Sequence, residues 1–153
     1  MPNFADIAKK KLSEVERPPL VPIGTYTFQV LELPKTDSIA DGAWDVVDFQ
    51  LLAIEPSNDV DPNDLAKYGD LRNARIRFRF MFNTQDATAF ATTEFRLKQF
   101  LEQHLKCSTP DMGISEALNA SVGARCLGVV QHRPDKENPE IQYAEVRKTA
   151  PLL

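Results

Sequence analysis

Alternating apolar and polar residues predict five β-strands along the chain. In the first, Tyr26, Phe28 and Val30 share one face while polar residues occupy the other. A period of two, with β-branched and aromatic residues, is typical of a strand that is buried on one side. The five strands are predicted at residues 25–33, 44–54, 72–82, 125–133 and 141–148.

A helical period predicts the remaining elements. Residues 92–105 carry apolar side chains on one face and charged residues spaced four apart on another. Residues 114–120 form a second, shorter helix, and Asp61-Pro62 has the N-cap and N1 chemistry for a further turn or two. Residues 3–16 are predicted to form a short amphipathic arm, which ends before Pro18-Pro19 because a residue preceding proline disfavours the α conformation.

The order of these elements predicts a mainly β fold. Three strands, a helix and two strands follow the topology of the OB-fold, a five-stranded Greek-key barrel with its helix between strands three and four. Other small α+β folds share this order. We divide the chain into an N-terminal arm with a proline-containing linker, residues 1–22, and an OB-type β-barrel domain, residues 23–153.

Composition narrows the class of protein. The 153 residues are 42% hydrophobic and 26% charged, which is ordinary for one globular domain. No apolar run approaches the ~20 residues that cross a bilayer, and the lysine-rich N-terminus has no apolar signal region. Cys107 and Cys126 are too few for a disulfide framework. We therefore expect a cytoplasmic protein without a membrane partner.

Charge is distributed unevenly along the chain, although the net charge is −4. Residues 32–70 contain ten acidic residues and two lysines, whereas residues 71–106 contain seven basic residues and three acidic ones. A domain polarised in this way can hold an anion on one face and remain soluble through the other.

The third predicted strand concentrates the basic residues. Arg75, Arg77 and Arg79 share one face because successive side chains of a strand alternate sides. The apolar residues of this strand are expected in the core. The arginines are candidates for contacts with phosphates or bases. The alternative is that they only keep an exposed strand soluble and balance the acidic connector.

Two predicted loops extend this candidate surface. In OB barrels, strands two and three and the loops L12 and L45 bind oligonucleotides. L12 would be residues 34–42, next to Trp44, which could stack on a base. L45 would be residues 134–139, where Lys136 and the adjoining Arg133 provide cationic side chains. The candidate nucleic-acid-binding residues are Trp44, Arg72, Arg75, Arg77, Arg79, Arg133 and Lys136.

Metal and catalytic motifs are weak or lacking in the sequence. Four side chains of the types that ligate zinc are His104, Cys107, Cys126 and His132, but their spacing matches no common zinc module. Ordinary buried cysteines and polar histidines explain them better than a zinc site does. There is no glycine-rich phosphate loop, nucleophile elbow or His-Glu-x-x-His motif. We therefore expect a binding protein without a cofactor or metal rather than an enzyme.

Several stretches of the chain resemble a family of small bacteriophage proteins from replication and recombination modules. The stretches are Phe4–Lys11 followed by Pro18, Pro22-x-Gly24-x-Tyr26, Phe95–Leu101, and the closing segment from Gly123-Ala124-Arg125 through Tyr143–Val146. The family in turn resembles single-stranded DNA-binding OB proteins. The resemblance spans nearly the whole chain, marks no catalytic residue, and implies an OB barrel that binds single-stranded DNA in an infected bacterium.

The expected function is binding of single-stranded DNA, or of RNA, without strong sequence preference. Many single-stranded DNA-binding proteins recruit partners through an acidic C-terminal tail, whereas this sequence ends Arg147–Leu153 without acidic residues. The N-terminal arm, with Phe4, Ile7 and Val15, is therefore the candidate for self-association or for binding a replication or recombination protein. The competing hypothesis is a structural or adaptor module, virion-associated or not, that uses the same fold for protein contacts.

Overall fold

Six antiparallel strands form one sheet in the computed structural model, which describes residues 3–14 and 18–152. The strands are β1 Gly24–Val30, β2 Lys35–Ile39, β3 Trp44–Pro56, β4 Arg75–Asn83, β5 Arg125–Pro134 and β6 Gln142–Ala150. The helices are α1 Phe4–Ala8, α2 Pro62–Tyr68, α3 Ala87–Gln99 and α4 Ile114–Ala120. A π-helical turn, Phe100–His104, continues α3, and 3₁₀ turns lie at Leu12–Glu14 and Leu71–Asn73.

The long strand β3 organises the sheet. Its 13 residues pair with β1 and β2 at successive points along one edge and with β4 along the other. β1 then pairs with β5, and β5 pairs with β6. The strand path is β4-β3-β1-β5-β6, with β2 as an extension beside β3. Over the described residues the path does not close, because β4 and β6 are not paired with each other.

The core lies on the inner face of this sheet. Val47, Phe49, Leu51 and Ala53 of β3 are all buried there, as the sequence predicts. The other face of β3 is partly apolar, and Val46 on that face is buried as well.

A cluster of four phenylalanines joins the sheet to the helix. The ring centroid of Phe100 lies 5.0 Å from that of Phe49 and 5.1 Å from that of Phe78. Phe78 and Phe80 of β4 are 5.1 Å apart with their rings close to perpendicular. Edge-to-face pairs of this kind add to the stabilisation that burial alone provides. The cluster therefore fixes the end of α3 against β3 and β4.

The structure confirms a mainly β fold but corrects several details of the prediction. The sheet is open, not a closed barrel, and it has a sixth strand, β2, inside the predicted loop 34–42. α3 begins at Ala87, five residues before the predicted start, because Asp86 accepts hydrogen bonds from the N–H groups of Thr88 and Ala89. Val15, part of the predicted arm, lies outside the described residues. Among the described helices, none has the length and apolar character to cross a membrane.

Close packing between β1, β5 and β6 generates a test of the fold. A Cβ atom added at Gly128 would lie 2.7 Å from Cδ2 of Phe28 and 3.2 Å from Cγ1 of Val146. We expect Gly128→Ala to lower the free energy of unfolding by about 1–3 kcal/mol, because the buried Phe28 ring must move. Urea denaturation measures the loss.

Gly113→Ala is the matched control. Apart from its two chain neighbours, no described residue has an atom within 4 Å of a Cβ at Gly113, so we expect a change below about 1 kcal/mol, from the weaker N-cap of α4 alone. Equal losses of stability in the two variants would contradict this packing of Gly128.

Candidate functional site

A cleft of about 1470 Å³ lies where the sheet stays open, between β4 and β6. Residues 75–81 of β4 line one side and residues 143–149 of β6 line the other. Gln99, Phe100 and His104 from the end of α3 and its π-helical turn also line it.

The main chain of β4 presents hydrogen-bonding groups to this cleft. In an antiparallel ladder, alternate residues direct N–H and C=O toward the partner strand, and the residues between them direct these groups away. The N–H of Ala53 donates to the carbonyl of Ala74 at 3.0 Å, so the even-numbered residues of β4 face β3. The N–H and C=O groups of Arg75, Arg77 and Arg79 therefore point away from β3.

β6 presents a matching edge. The N–H of Asp135 donates to the carbonyl of Ile141 at 2.8 Å, which continues the β5–β6 ladder beyond the paired residues Pro134 and Gln142. By the same alternation, Gln142 and Ala144 direct their main-chain groups away from β5. Within residues 3–14 and 18–152, no other strand pairs with either edge.

The cleft collects positive charge from distant parts of the chain. Among the described residues it is lined by eight basic side chains and three acidic ones, although the whole chain has 18 basic and 22 acidic residues. The basic residues are Arg75, Arg77, Arg79, Arg96, Arg133, Lys136, Arg147 and Lys148, and the acidic ones are Asp135, Glu137 and Glu145. The cleft is therefore positive in a negatively charged protein.

The three arginines of β4 are not equivalent. Arg79 is half-buried and donates two hydrogen bonds to Asp48 on β3, from Nε to Oδ1 at 2.6 Å and from Nη2 to Oδ2 at 2.9 Å. This pairing raises the pKa of Arg79. Arg75 and Arg77 are exposed and form no ion pair within the described part of the chain. Arg75 and Arg77 are therefore available to a ligand, whereas Arg79 already has a carboxylate partner.

The β5–β6 hairpin forms a second basic region with its own network. Nε of Arg133 donates to Glu145 at 3.1 Å, and the guanidinium lies 5.5 Å from the ring centroid of Tyr143. Glu145 also accepts from Arg147 at 3.1 Å. The hydroxyl of Tyr143 donates to Asp135 at 2.9 Å, so the network holds the aromatic ring and the cations in fixed relative positions.

The pKa of Asp135 is lowered by hydrogen bonds within the hairpin turn. The N–H of Glu137 is the main cause, followed by the Tyr143 hydroxyl and the N–H of Asn138. Asp135 therefore remains a carboxylate at neutral pH and continues to hold Tyr143.

Five of the seven predicted nucleic-acid-binding residues line the cleft. They are Arg75, Arg77, Arg79, Arg133 and Lys136. Trp44 does not line it: the residue is half-buried at the start of β3, opposite Ile39 and Asn83. Arg72 lies outside the cleft as well, in an exposed pair with Asp70 at 2.7 Å.

Sequence reasoning misses several residues that the structure places in the cleft. Arg96, Arg147, Lys148 and Tyr143 line it but are not among the predicted candidates. The alternation Tyr143-x-Glu145-x-Arg147 along β6 is a usable signal, but nothing local in sequence indicates that β6 faces β4.

The four side chains of zinc-ligating types are each engaged in contacts or burial elsewhere in the fold. Nδ1 of His104 is 2.7 Å from the hydroxyl of Thr149, and Nε2 of His132 is 2.8 Å from the carbonyl oxygen of Val21. Cys126 is fully buried, which raises the pKa of its thiol to about 12, and burial also raises the pKa of Cys107. The residues that the structure describes contain no group of three or more histidine, cysteine or acidic side chains placed to hold a metal ion.

No protein-family model matches the chain, and a search of curated proteins finds no match. The resemblance to phage proteins therefore stays a prediction, and the case for the cleft depends on its geometry and charge.

The pairing of Arg79 with Asp48 predicts different roles for neighbouring arginines. We expect Arg79→Ser to lower the free energy of unfolding by about 1–3 kcal/mol, because the half-buried Asp48 would be left without its partner. We expect Arg77→Ser to change it by less than about 0.5 kcal/mol, since this side chain is exposed and unpaired. Urea denaturation of both variants measures the two losses of stability. Equal losses would contradict a structural role for Arg79 that Arg77 does not share.

Proposed function

We propose that this protein binds single-stranded DNA in the cleft between β4 and β6, without strong sequence preference. The main support is the collection of eight basic side chains around one cleft of a protein whose net charge is −4. Such a concentration of cations attracts a polyanion and releases its counterions, which drives binding to phosphates.

The cations that would contact the phosphates form two groups, one on the strands β4 and β6 and one at the turn between β5 and β6. Arg75 and Arg77 stand on β4, and Lys148 stands on β6, with no ion pair or side-chain hydrogen bond to another described residue. Lys136 extends the positive surface to the hairpin turn. Guanidinium groups suit this role because they donate to two phosphate oxygens at once and also stack on bases.

Aromatic rings in the same cleft would contact the bases. Phe78 is half-buried, and 38% of Tyr143 is exposed. Every base has a π-face, so stacking on such rings supports binding with little regard to sequence. The edge of β4 adds main-chain donors and acceptors that can bind the exposed polar groups of an unpaired strand of DNA.

The strand connectivity supports an OB-type interpretation of the fold. When β2 is set aside, the path β4-β3-β1-β5-β6 and the position of α3 between β4 and β5 follow the OB order. OB-folds are partly open barrels that bind oligonucleotides around strands two and three and the loops L12 and L45. In that order β4 would be the third strand, and Lys136 would lie in L45 with Arg133 next to it.

The biological setting that we propose is phage DNA replication or recombination in a bacterial host. It derives from the family resemblance alone. A structural or adaptor module is the second candidate, and one observation favours it: helix α1 leaves Phe4 and Ile7 exposed, as a protein-binding segment would.

Salt dependence of binding tests the role of the free arginines. We expect Arg75→Ser/Arg77→Ser to weaken binding of a fluorescein-labelled oligothymidine. The log–log slope of affinity against salt should fall by about 0.7 for each phosphate that the double variant no longer neutralises. Fluorescence anisotropy at several salt concentrations gives both quantities.

Lys67→Ser/Lys106→Ser is the matched control, since it removes two exposed cations that do not line the cleft. It should leave the slope unchanged. The same slope in both double variants would remove the cleft from the binding site. No binding by the unmodified protein would favour the adaptor function, and a tenfold preference for oligouridine would change the substrate to RNA.

Stacking in the cleft gives a separate prediction. Base–aromatic stacking contributes roughly 1–3 kcal/mol per base, so we expect Tyr143→Leu to weaken oligothymidine binding about fivefold or more. Trp44→Leu, which likewise removes an aromatic ring, should change affinity less than about twofold, because Trp44 does not line the cleft. Fluorescence anisotropy measures both affinities, and the reverse order of effects would place the bases beside Trp44 instead.

A further inference from the structure

Helix α1 is formed but has no surface to pack against among the described residues. Asn3 and Asp6 make a complete capping box, so the start of the helix is well defined. Yet the helix has five residues and buries none of them: Phe4 is 78% exposed and Ile7 is 57% exposed. A helix this short is not stable alone in water, so its apolar side needs a binding surface.

The outer side of α3 offers an apolar surface of suitable shape. Leu97 of α3 faces the core, whereas Phe95, 62% exposed, belongs to the opposite part of the helix. A shallow groove of about 550 Å³ lies there, lined by Ala87, Thr88, Ala91, Thr92 and Phe95. The four small residues let another helix approach closely, and Phe95 provides a large apolar contact at one end.

The charges at the C-terminal end of α1 and at the N-terminal end of α3 are opposite. Lys9, Lys10 and Lys11 follow α1 directly and are exposed. Asp86 caps the N-terminal end of α3. Further along the helix the exposed Glu94 is accompanied by the exposed Arg96 and Lys98, so only the N-terminal end of the groove is acidic. Asp41 is close to this end too. The hydroxyl of Thr84, two residues before Asp86, donates to the carbonyl of Gly42 at 2.6 Å, and Gly42 directly follows Asp41.

We propose that the arm of one copy docks on the outer side of α3 of a second copy. Phe4 and Ile7, three residues apart, share one side of α1 and would pack on Ala91 and beside Phe95. The lysines would then lie toward Asp86 and Asp41. The occupant of the groove is thus residues 4–11 of another chain.

A second copy fits better than the arm's own body. The arm joins the body through Pro19 and Leu20, which line the cleft between β4 and β6. The groove is on the side of α3 away from the core, and in the structure the arm leaves it uncovered. Since the arm and the groove are different surfaces, their contact is head-to-tail and can link successive copies. This inference does not depend on DNA binding.

Analytical ultracentrifugation of the full chain without nucleic acid tests the proposal. Two apolar side chains and a few exposed ion pairs support only weak association, so we expect the average mass to rise in the ~0.1–1 mM range. High salt should weaken the association, because the lysine contacts are exposed. Phe4→Ser/Ile7→Ser and, separately, Phe95→Ser should each restore the mass of one chain. Ile114→Ser, which removes an equally exposed apolar residue of α4, should not.

Mixing the two deficient variants sharpens the test. The Phe4→Ser/Ile7→Ser variant keeps its groove and the Phe95→Ser variant keeps its arm, so the mixture should form pairs of chains and nothing larger. A monomer at all concentrations would overturn the proposal. Association that needs Phe95 but not the arm would overturn it in favour of α3 pairing with α3, and association that needs neither would place the interface elsewhere.

Discussion

The turn at the end of α3 keeps the sheet open, and the candidate site depends on that opening. Phe100 packs on Phe78 of β4 with ring centroids 5.1 Å apart, while His104, at the other end of the turn, is hydrogen-bonded to Thr149 of β6. The turn thus touches both outer strands of the sheet. Paired strands lie about 4.8 Å apart, and a helical turn between β4 and β6 prevents that approach. Its π-helical form, in which the N–H of Leu105 donates to the carbonyl of Phe100 at 2.8 Å, keeps both side chains in contact with the strands.

Open strand edges are hazardous because they can pair with other chains, and natural proteins commonly protect them with charged residues. Arg75 and Arg77 meet this need on β4, and Lys148 meets it on β6. Near the C-terminal end of β4 a side-chain hydrogen bond protects the edge instead: the hydroxyl of Thr93 on α3 donates to the carbonyl of Met81 at 2.9 Å. The cations that discourage strand pairing are the same ones that would attract a polyanion. One arrangement therefore serves both the solubility of the fold and the proposed function.

The sequence predicts those elements whose buried face follows from the spacing of apolar residues. Period-two alternation locates the β4 arginines on one face, and helical spacing locates Leu97 and Phe100 in the core. The sequence does not predict β2, because nearly every residue of Lys35–Ile39 is exposed and the segment shows no alternation of apolar and polar residues. The pairing of Arg79 with Asp48 joins residues 31 positions apart, and the approach of β6 to β4 joins residues more distant still. Such contacts depend on strand register, which single-residue patterns do not determine.

Free charge, rather than total charge, decides what the cleft can bind. The acidic and basic halves of the sequence partly neutralise each other after folding, since Asp48 pairs with Arg79 and Asp70 with Arg72. Glu145 forms ion pairs with both Arg133 and Arg147, so the hairpin is less basic than its sequence indicates. The side chains that remain without an ion pair in the described cleft are Arg75, Arg77, Arg96, Lys136 and Lys148. They are lysines and arginines, and burial lowers the pKa of the neighbouring His104, so the charge of the cleft stays constant through neutral pH. The attraction that we propose between this cleft and a phosphodiester chain, whose charge is also constant near neutral pH, is therefore expected to change little with pH in that range.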